Sequence, residues 1–207
     1  MSQSINRTDA AAKILGGMPG RRGHFLLESG YHTDLWFSLD ALFVDPKALT
    51  PQIAALADLI RPHGVSAICG PLLGGAFLAH ALAAHIGVRF YFSQQAPISN
   101  AGELFAAEYR LPPEFLLSAH GERVAVVDDV ISAGSSVRAT AAALASAGAS
   151  TVVVGALLVL GNAAIDHFSD RGVPVVALGR DDFNLWTPAN CPECNAGVPV
   201  EDPAAQR

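Results

Sequence analysis

Five short, largely apolar runs, at residues 65–69, 88–92, 123–128, 151–160 and 173–178, alternate with helical patterns along the chain. A strand that is apolar on both faces must be covered on both faces. Parallel neighbours need a crossover, usually a helix, between them. The alternation therefore predicts an α/β fold: a parallel sheet with helices on both faces. The helical patterns fall at 51–60, 76–86, 137–147 and 163–171. In the first, Pro51 suits an opening turn, Ile53, Leu56, Leu59 and Ile60 share a face, and Arg61-Pro62 ends the run. Gly87 and Gly148 close the second and third.

The flanking segments are less regular. Residues 8–15 read as a short helix opened by Thr8 or Asp9, and 23–43 as irregular strands or hairpins. Residues 93–122 lack a period and carry Pro97, Pro112 and Pro113. They read as a long excursion with a hairpin around 108–111, and excursions of that length are usually functional or mobile.

Composition narrows the function classes. With 51% apolar and 15% charged residues in 207, the chain is neither disordered nor fibrous, and one domain is expected. A net charge of -6 argues against a general nucleic-acid or membrane-surface binder, which needs a cationic face. Cys69, Cys191 and Cys194 are an odd, scattered set, as in a reducing compartment. The apolar runs are too short to span a membrane, and no signal pattern opens the sequence. A soluble cytoplasmic protein is expected.

In an open parallel sheet, ligands bind beyond the carboxyl ends of the strands. The turns after Cys69, Phe92, Asp128 and Leu160 should therefore converge. The most informative of them is Val124-Ala-Val-Val-Asp-Asp-Val-Ile-Ser-Ala-Gly-Ser-Ser136. Asp128 and Asp129 stand at the end of a buried strand. Ser132, Ala133, Gly134, Ser135 and Ser136 then open a helix with small residues that allow close backbone approach. Unpaired amides and the helix dipole make such a start a phosphate cradle. Adjacent carboxylates can accept from a sugar diol, or hold Mg²⁺ through that diol or through water. A cradle beside a diol acceptor describes a ribose 5-phosphate site.

This stretch resembles the phosphoribosyl-diphosphate signature of the type I phosphoribosyltransferases. Phe25-Leu-Leu-Glu-Ser-Gly30 with Trp36-Phe37, and Gly70-Pro-Leu-Leu-Gly-Gly75, resemble segments of the orotate branch, in a divergent form. Leu185-Trp-Thr-Pro, Cys191-Pro-Glu-Cys194 and Gly197-Val-Pro resemble the C-terminal end of some bacterial and archaeal members. The resemblance implies a single domain, with a core at about 46–179 and a hood from about 1–45 plus 180–207. It implies an enzyme that transfers a phosphoribosyl group from 5-phosphoribosyl 1-diphosphate to a nitrogenous base, orotate first, in pyrimidine nucleotide synthesis. Asp128 and Asp129 would meet the ribose hydroxyls and organise Mg²⁺. Residues Ser132 to Ser136 would wrap the 5-phosphate. Pro71, Leu72, Leu73, Gly74 and Gly75 would receive the diphosphate, and Trp36 and Phe37 would shape the base pocket. The family pattern also implies a homodimer. A binder that senses the sugar diphosphate without turnover, or an enzyme for another base, are the alternative readings.

Two departures bear on these alternatives. Glu28 stands where the orotate enzymes usually carry Lys. The span matching their Lys- and Arg-rich loop, 93–122, has no Lys; Lys13 and Lys47 are the chain's two lysines. Arg110 is the expected diphosphate partner there, with the surface of a hairpin as its other reading. His120-Gly121 echoes the loop's His-Gly but sits close to the following strand.

Cys191-x-x-Cys194 has metal-ligand spacing. Zinc takes four ligands, the chain has no second cysteine pair, and Cys69 belongs to a buried strand. The pair therefore reads as a reduced structural turn, or as half of a site pooled across a dimer axis. The histidines, His24 and His32 among them, look scattered.

Overall fold

The computed structural model describes residues 21–27, 29–37, 40–96, 108–181 and 183–203. The helix expected at 8–15, Glu28, residues 97–107 of the excursion and Asp182 lie outside the described residues. No helix among the described residues is long and apolar enough to cross a membrane.

The described residues open with β1 (Arg21–Leu26) and β2 (His32–Trp36), an antiparallel pair. The alternating part follows: α1 (Thr50–Ile60), β3 (Ala67–Pro71), α2 (Gly74–Ile86), β4 (Arg89–Gln95), β5 (Tyr109–Arg110), α3 (Pro113–Ala119), β6 (Arg123–Ile131), α4 (Ser135–Ser146), β7 (Ser150–Leu160), α5 (Ala163–Ser169) and β8 (Val175–Asp181). Last come β9 (Leu185–Trp186) and the single-turn helix α6 (Pro192–Asn195).

The apolar runs become one sheet of order β5-β4-β3-β6-β7-β8. Every pairing in it is parallel except the short edge strand β5, which runs antiparallel to β4. The unbroken hydrophobicity of these strands follows from two-sided cover. Along β6, Val124 and Val126 join the layer containing Val137 and Leu144 of α4 and Phe168 of α5. Ala125 and Val127 join the opposite layer with Ile53 and Leu56 of α1 and Leu78 and Leu82 of α2.

Three details differ from the sequence reading. β6 continues beyond the two acids to Ile131, because the long strand β7 keeps pairing with it, Val130 opposite Leu158 and Ile131 opposite Val159. The segment around 108–111 does not fold back on itself. Tyr109 and Arg110 instead pair with Gln95 and Gln94. Pro113 then opens α3, whose Phe115 packs edge-on against Tyr91 and Phe92 of β4.

The order of the parallel strands sets the functional end. The chain winds outward from β3 to β4, then returns to β6 on the other side of β3. Where winding reverses, the connections after the two central strands part and leave a crevice at their carboxyl ends. Here those strands are β3 and β6. Above this end sits a small sheet of order β1-β2-β9. Leu35 and Phe37 seat it on Leu158 and Leu160 of β7.

Leu157 is fully buried under α1 and α2. Leu157→Ala should lower the unfolding free energy by about 2–5 kcal/mol, with the denaturant slope unchanged. A urea titration checks this; a loss well under 1 kcal/mol would show that the site collapses or that the layer is loosely packed.

Candidate active site

β6 delivers Asp128 and Asp129 to the crevice and turns at Ser132 into α4. Asp128 is buried and Asp129 half-buried. Asp128 is held from two sides: the Ser136 hydroxyl donates to its Oδ2 at 2.9 Å, and the Asp129 amide to its Oδ1 at 3.1 Å. Asp129 Oδ1 accepts from the Val130 amide at 2.8 Å. Burial, then the charge of Asp129, push the Asp128 carboxyl well above its ordinary range; the Ser136 hydroxyl opposes this.

β3 brings the glycine turn against these acids. Gly70 and Pro71 finish the strand and Gly74 already begins α2, so the connection is only Leu72 and Leu73, joined by a cis peptide. The Leu72 amide donates to the Ser93 carbonyl of β4 at 2.8 Å. A Cβ on Gly74 would lie 2.2 Å from Asp129 Oδ2, and one on Gly75 would lie 2.7 Å from Asp128 Oδ1. Both separations are below van der Waals contact: a side chain at 74 would push the Asp129 carboxylate aside, and one at 75 would also meet the Val127 carbonyl at 2.9 Å.

The serine bend is shaped in the same way. Gly134 takes φ 81°, and a side chain there would press on Ala164 Cβ at 2.8 Å. Neither α2 nor α4 has a side-chain cap. The first amides of a helix have no partner within it, and its amino end carries partial positive charge. Two such ends therefore flank the acid pair. Ser93 Oγ donates to Thr140 Oγ1 at 2.7 Å, while Thr140 donates to the Ser136 carbonyl at 2.8 Å, fixing α4 against β4.

Thus Asp128, Asp129, residues Ser132 to Ser136 and residues Pro71 to Gly75 come from two adjacent strand ends. The other expected residues lie elsewhere. Phe37 is packed into the seat under the small sheet, so its ring is occupied by core contacts. Trp36 is half-buried on β2, tilted against Phe25 with ring centroids 6.4 Å apart. Arg110 lies on the edge strand, where its Nε and Nη2 both donate to Glu108 Oε1, at 2.9 and 2.7 Å. His120 precedes β6 and lies against Gly148. It is therefore at the amino end of the strand whose carboxyl end carries the acids.

The sequence reading passed over Arg138. It stands in the first turns of α4, half-buried, and its Nη2 donates to the Ala163 carbonyl of α5 at 2.7 Å. An Arg four residues after the glycine of a phosphate-type bend was the available signal.

Comparison with known proteins gives the family and supports the fold. Residues 48–177 match the family model for the phosphoribosyl transferase domain. The chain belongs to the phosphoribosyltransferase family. It is 30% identical over 184 residues to the orotate phosphoribosyltransferase of Thermotoga maritima, covering 89% of this chain and 91% of that protein. The same enzyme of Caldanaerobacter subterraneus is 30% identical over 186 residues, 90% of each chain. Among solved structures, orotate phosphoribosyltransferase from Aeropyrum pernix superposes with TM-score 0.61 at 24% identity, covering 82% of this chain and 90% of that one. Adenine phosphoribosyltransferase from Rhodothermus marinus superposes with TM-score 0.63 at 19% identity, covering 84% and 99%. The structural likenesses support the fold; the sequence relatives place this phosphoribosyltransferase on the orotate-like branch, among pentosyl-transferring enzymes.

Asp128→Asn keeps an acceptor for Ser136 but removes a buried charge beside Asp129. The unliganded variant should be more stable than the parent at pH 7, by on the order of 1 kcal/mol. A carboxyl whose folded pKa is raised destabilises the fold wherever the unfolded chain would ionise it, that is, above the unfolded value. The difference should thus vanish below the unfolded value of about 3.9, grow as pH rises from there towards the raised folded value, and level off above it. Melting temperatures across that range check this; equal stability at neutral pH would contradict a strained carboxylate.

Proposed function

We propose that this chain is a Mg²⁺-dependent orotate phosphoribosyltransferase. It would form orotidine 5-phosphate and diphosphate from orotate and 5-phosphoribosyl 1-diphosphate, in the cytoplasm and as a homodimer. The observation that carries the proposal is the meeting of an acid pair, a serine bend opening α4 and a glycine turn opening α2 at the switch point of one sheet. The name shared by the relatives above supports orotate as the base; the resemblance suggests the dimer.

Each part has a chemical task. The amides and hydroxyls from Ser132 to Ser136 bind the 5-phosphate at the amino end of α4. Asp128 and Asp129 accept from the ribose hydroxyls, Asp129 being the more accessible of the two. With the Leu72 amide held by the Ser93 carbonyl, the turn offers the amides of Leu73, Gly74 and Gly75 to the diphosphate at the amino end of α2. Bond breaking at the anomeric carbon leaves positive charge on the sugar and negative charge on the departing diphosphate. Fixed dipoles aimed at the departing group stabilise that state more than the ground state.

The donor set suits Mg²⁺, a hard cation that takes oxygen ligands and keeps several waters. Both oxygens of Asp128 already accept hydrogen bonds within the chain, which favours contact through the diol or water over direct ligation. When bound, the ion neutralises diphosphate charge. That contribution matters here, since Arg110 is held by Glu108. For Arg110 to serve the leaving group, it must exchange Glu108 for diphosphate.

Diphosphate release measured with a panel of bases tests the proposal. Turnover with orotate, dependent on Mg²⁺, is expected. Tight binding of the sugar diphosphate without turnover on any base would favour a sensor, and turnover with another base alone would remove orotate. Replacing both acids, Asp128→Asn with Asp129→Asn, should weaken calorimetric affinity for the sugar diphosphate in Mg²⁺ by about tenfold or more. Unchanged affinity would contradict the diol assignment. Arg110→Ala should slow turnover more than it weakens that affinity; an unaffected rate would leave Arg110 as an edge-strand cation.

A further inference from the structure

The cysteine pair has partners that the sequence did not suggest. His24, His32, Cys191 and Cys194 meet between the small sheet and the C-terminal segment, their ligand atoms all within 4.8 Å of one another. The first three are buried. Cys191 Sγ lies 3.3 Å from His24 Nε2. Cys194 Sγ lies 3.3 Å from His32 Nδ1 and 3.7 Å from His24 Nε2. His24 Nε2 and His32 Nδ1 face each other at 2.8 Å.

Tetrahedral Zn²⁺ has bonds of about 2.3 Å to sulfur and 2.0–2.1 Å to nitrogen, which put neighbouring S and N ligands about 3.5 Å apart. The three sulfur–nitrogen separations cluster around that edge. The nitrogen pair needs to open by only about half an ångström. The ring on the far side of His24 is also arranged for ligation: its Nδ1 lies 2.8 Å from the Val198 carbonyl. A proton on Nδ1, donated to that carbonyl, leaves the Nε2 lone pair facing the cluster, the outer-shell pattern of metal-bound histidine.

The backbone explains why these four meet. The register of β1 against β2 slips by one residue between Arg22 and Phe25, so His24 sits in a bulge. Bulges re-aim side chains. His32 pairs with Trp186 of β9, and the chain runs from β9 through a short turn into Cys191, which precedes α6. The segment then returns along β1, where the Glu201 amide donates to the His24 carbonyl and the Leu26 amide to the Glu201 carbonyl, both at 2.8 Å.

We propose that these four side chains are a structural Zn²⁺ site that fastens the C-terminal segment to the β1–β2 pair. Four protein ligands leave no open position, which distinguishes it from a catalytic zinc. Two thiolates balance the charge of the ion, so a neutral unit is buried. Thiolate and imidazole select zinc over Mg²⁺ and Ca²⁺. The site is distinct from the acid pair, and it stands whether or not orotate is the base.

The test uses the whole protein, purified with a non-chelating reductant and no chelator, then exposed to Zn²⁺ and desalted. Elemental analysis should find about one zinc per chain. Replacing zinc with Co²⁺ should give the intense visible bands of tetrahedral cobalt and a thiolate charge-transfer band. Cys194→Ser, at the exposed edge, should lower zinc affinity at least about tenfold and abolish or weaken the charge-transfer band. Should that variant fail to fold, the parent's stoichiometry and cobalt spectrum still decide. A parent that takes up no zinc, binds cobalt octahedrally, or persists under reductant as a Cys191–Cys194 disulfide would overturn the proposal.

Discussion

The contact on which the rest depends is that between a turn without side chains and two carboxylates. β3 and β6 are neighbours at the centre of the sheet, and each ends in a turn that starts a helix. A Cβ at residue 74 would displace the Asp129 carboxylate, and one at 75 would press on both Asp128 and the Val127 carbonyl. Because the first turn of α2 rests on these acids, two uncapped helix ends face one small volume, with two acids between them. The acids suffer for it: burial and the neighbouring charge of Asp129 disfavour the ionised form of Asp128. Strain of this kind persists at sites where a ligand relieves it. A diol, with a cation beyond it, is the relief that this arrangement can accept.

The hood follows a different logic. Its strands are few and short, and a lone hairpin is marginal in water. It gains cover from Leu35 and Phe37 on the end of β7 and a third strand from β9. The C-terminal segment closes its other edge through Glu201, whose side chain also pairs with Arg21 at 2.6 Å. An exposed ion pair contributes little by itself. A bound ion tying residues 24, 32, 191 and 194 would therefore be the strongest single link in this part of the molecule, and it would fix the hood that overhangs the acids.

The parallel sheet with its helical cover and the acid-and-serine stretch were legible because each is written locally. Period, glycine and proline positions, and four apolar residues before two acids are all contiguous signals. What was not legible depends on distant partners. Strand β6 runs past its acids only because β7 is long enough to pair with it. Tyr109 and Arg110 carry too short a pattern to show that they join β4. The cysteine pair looked incomplete because its complement is two histidines more than 150 residues upstream, one of them aimed by a bulge that no periodicity announces. Phe37 and Trp36, adjacent aromatics, went to different environments because successive residues leaving a strand point to opposite sides.

The central claim is that the acid pair and the serine bend together grip a phosphorylated pentose. A crystal structure of the protein with 5-phosphoribosyl 1-diphosphate and Mg²⁺ tests it most directly. The account predicts the 5-phosphate on the amides of residues 132–136, the ribose hydroxyls against Asp128 and Asp129, and the diphosphate over the turn at residues 71–75. A sugar diphosphate bound with its phosphate away from the serine bend, or with its diol turned from both acids, would contradict it.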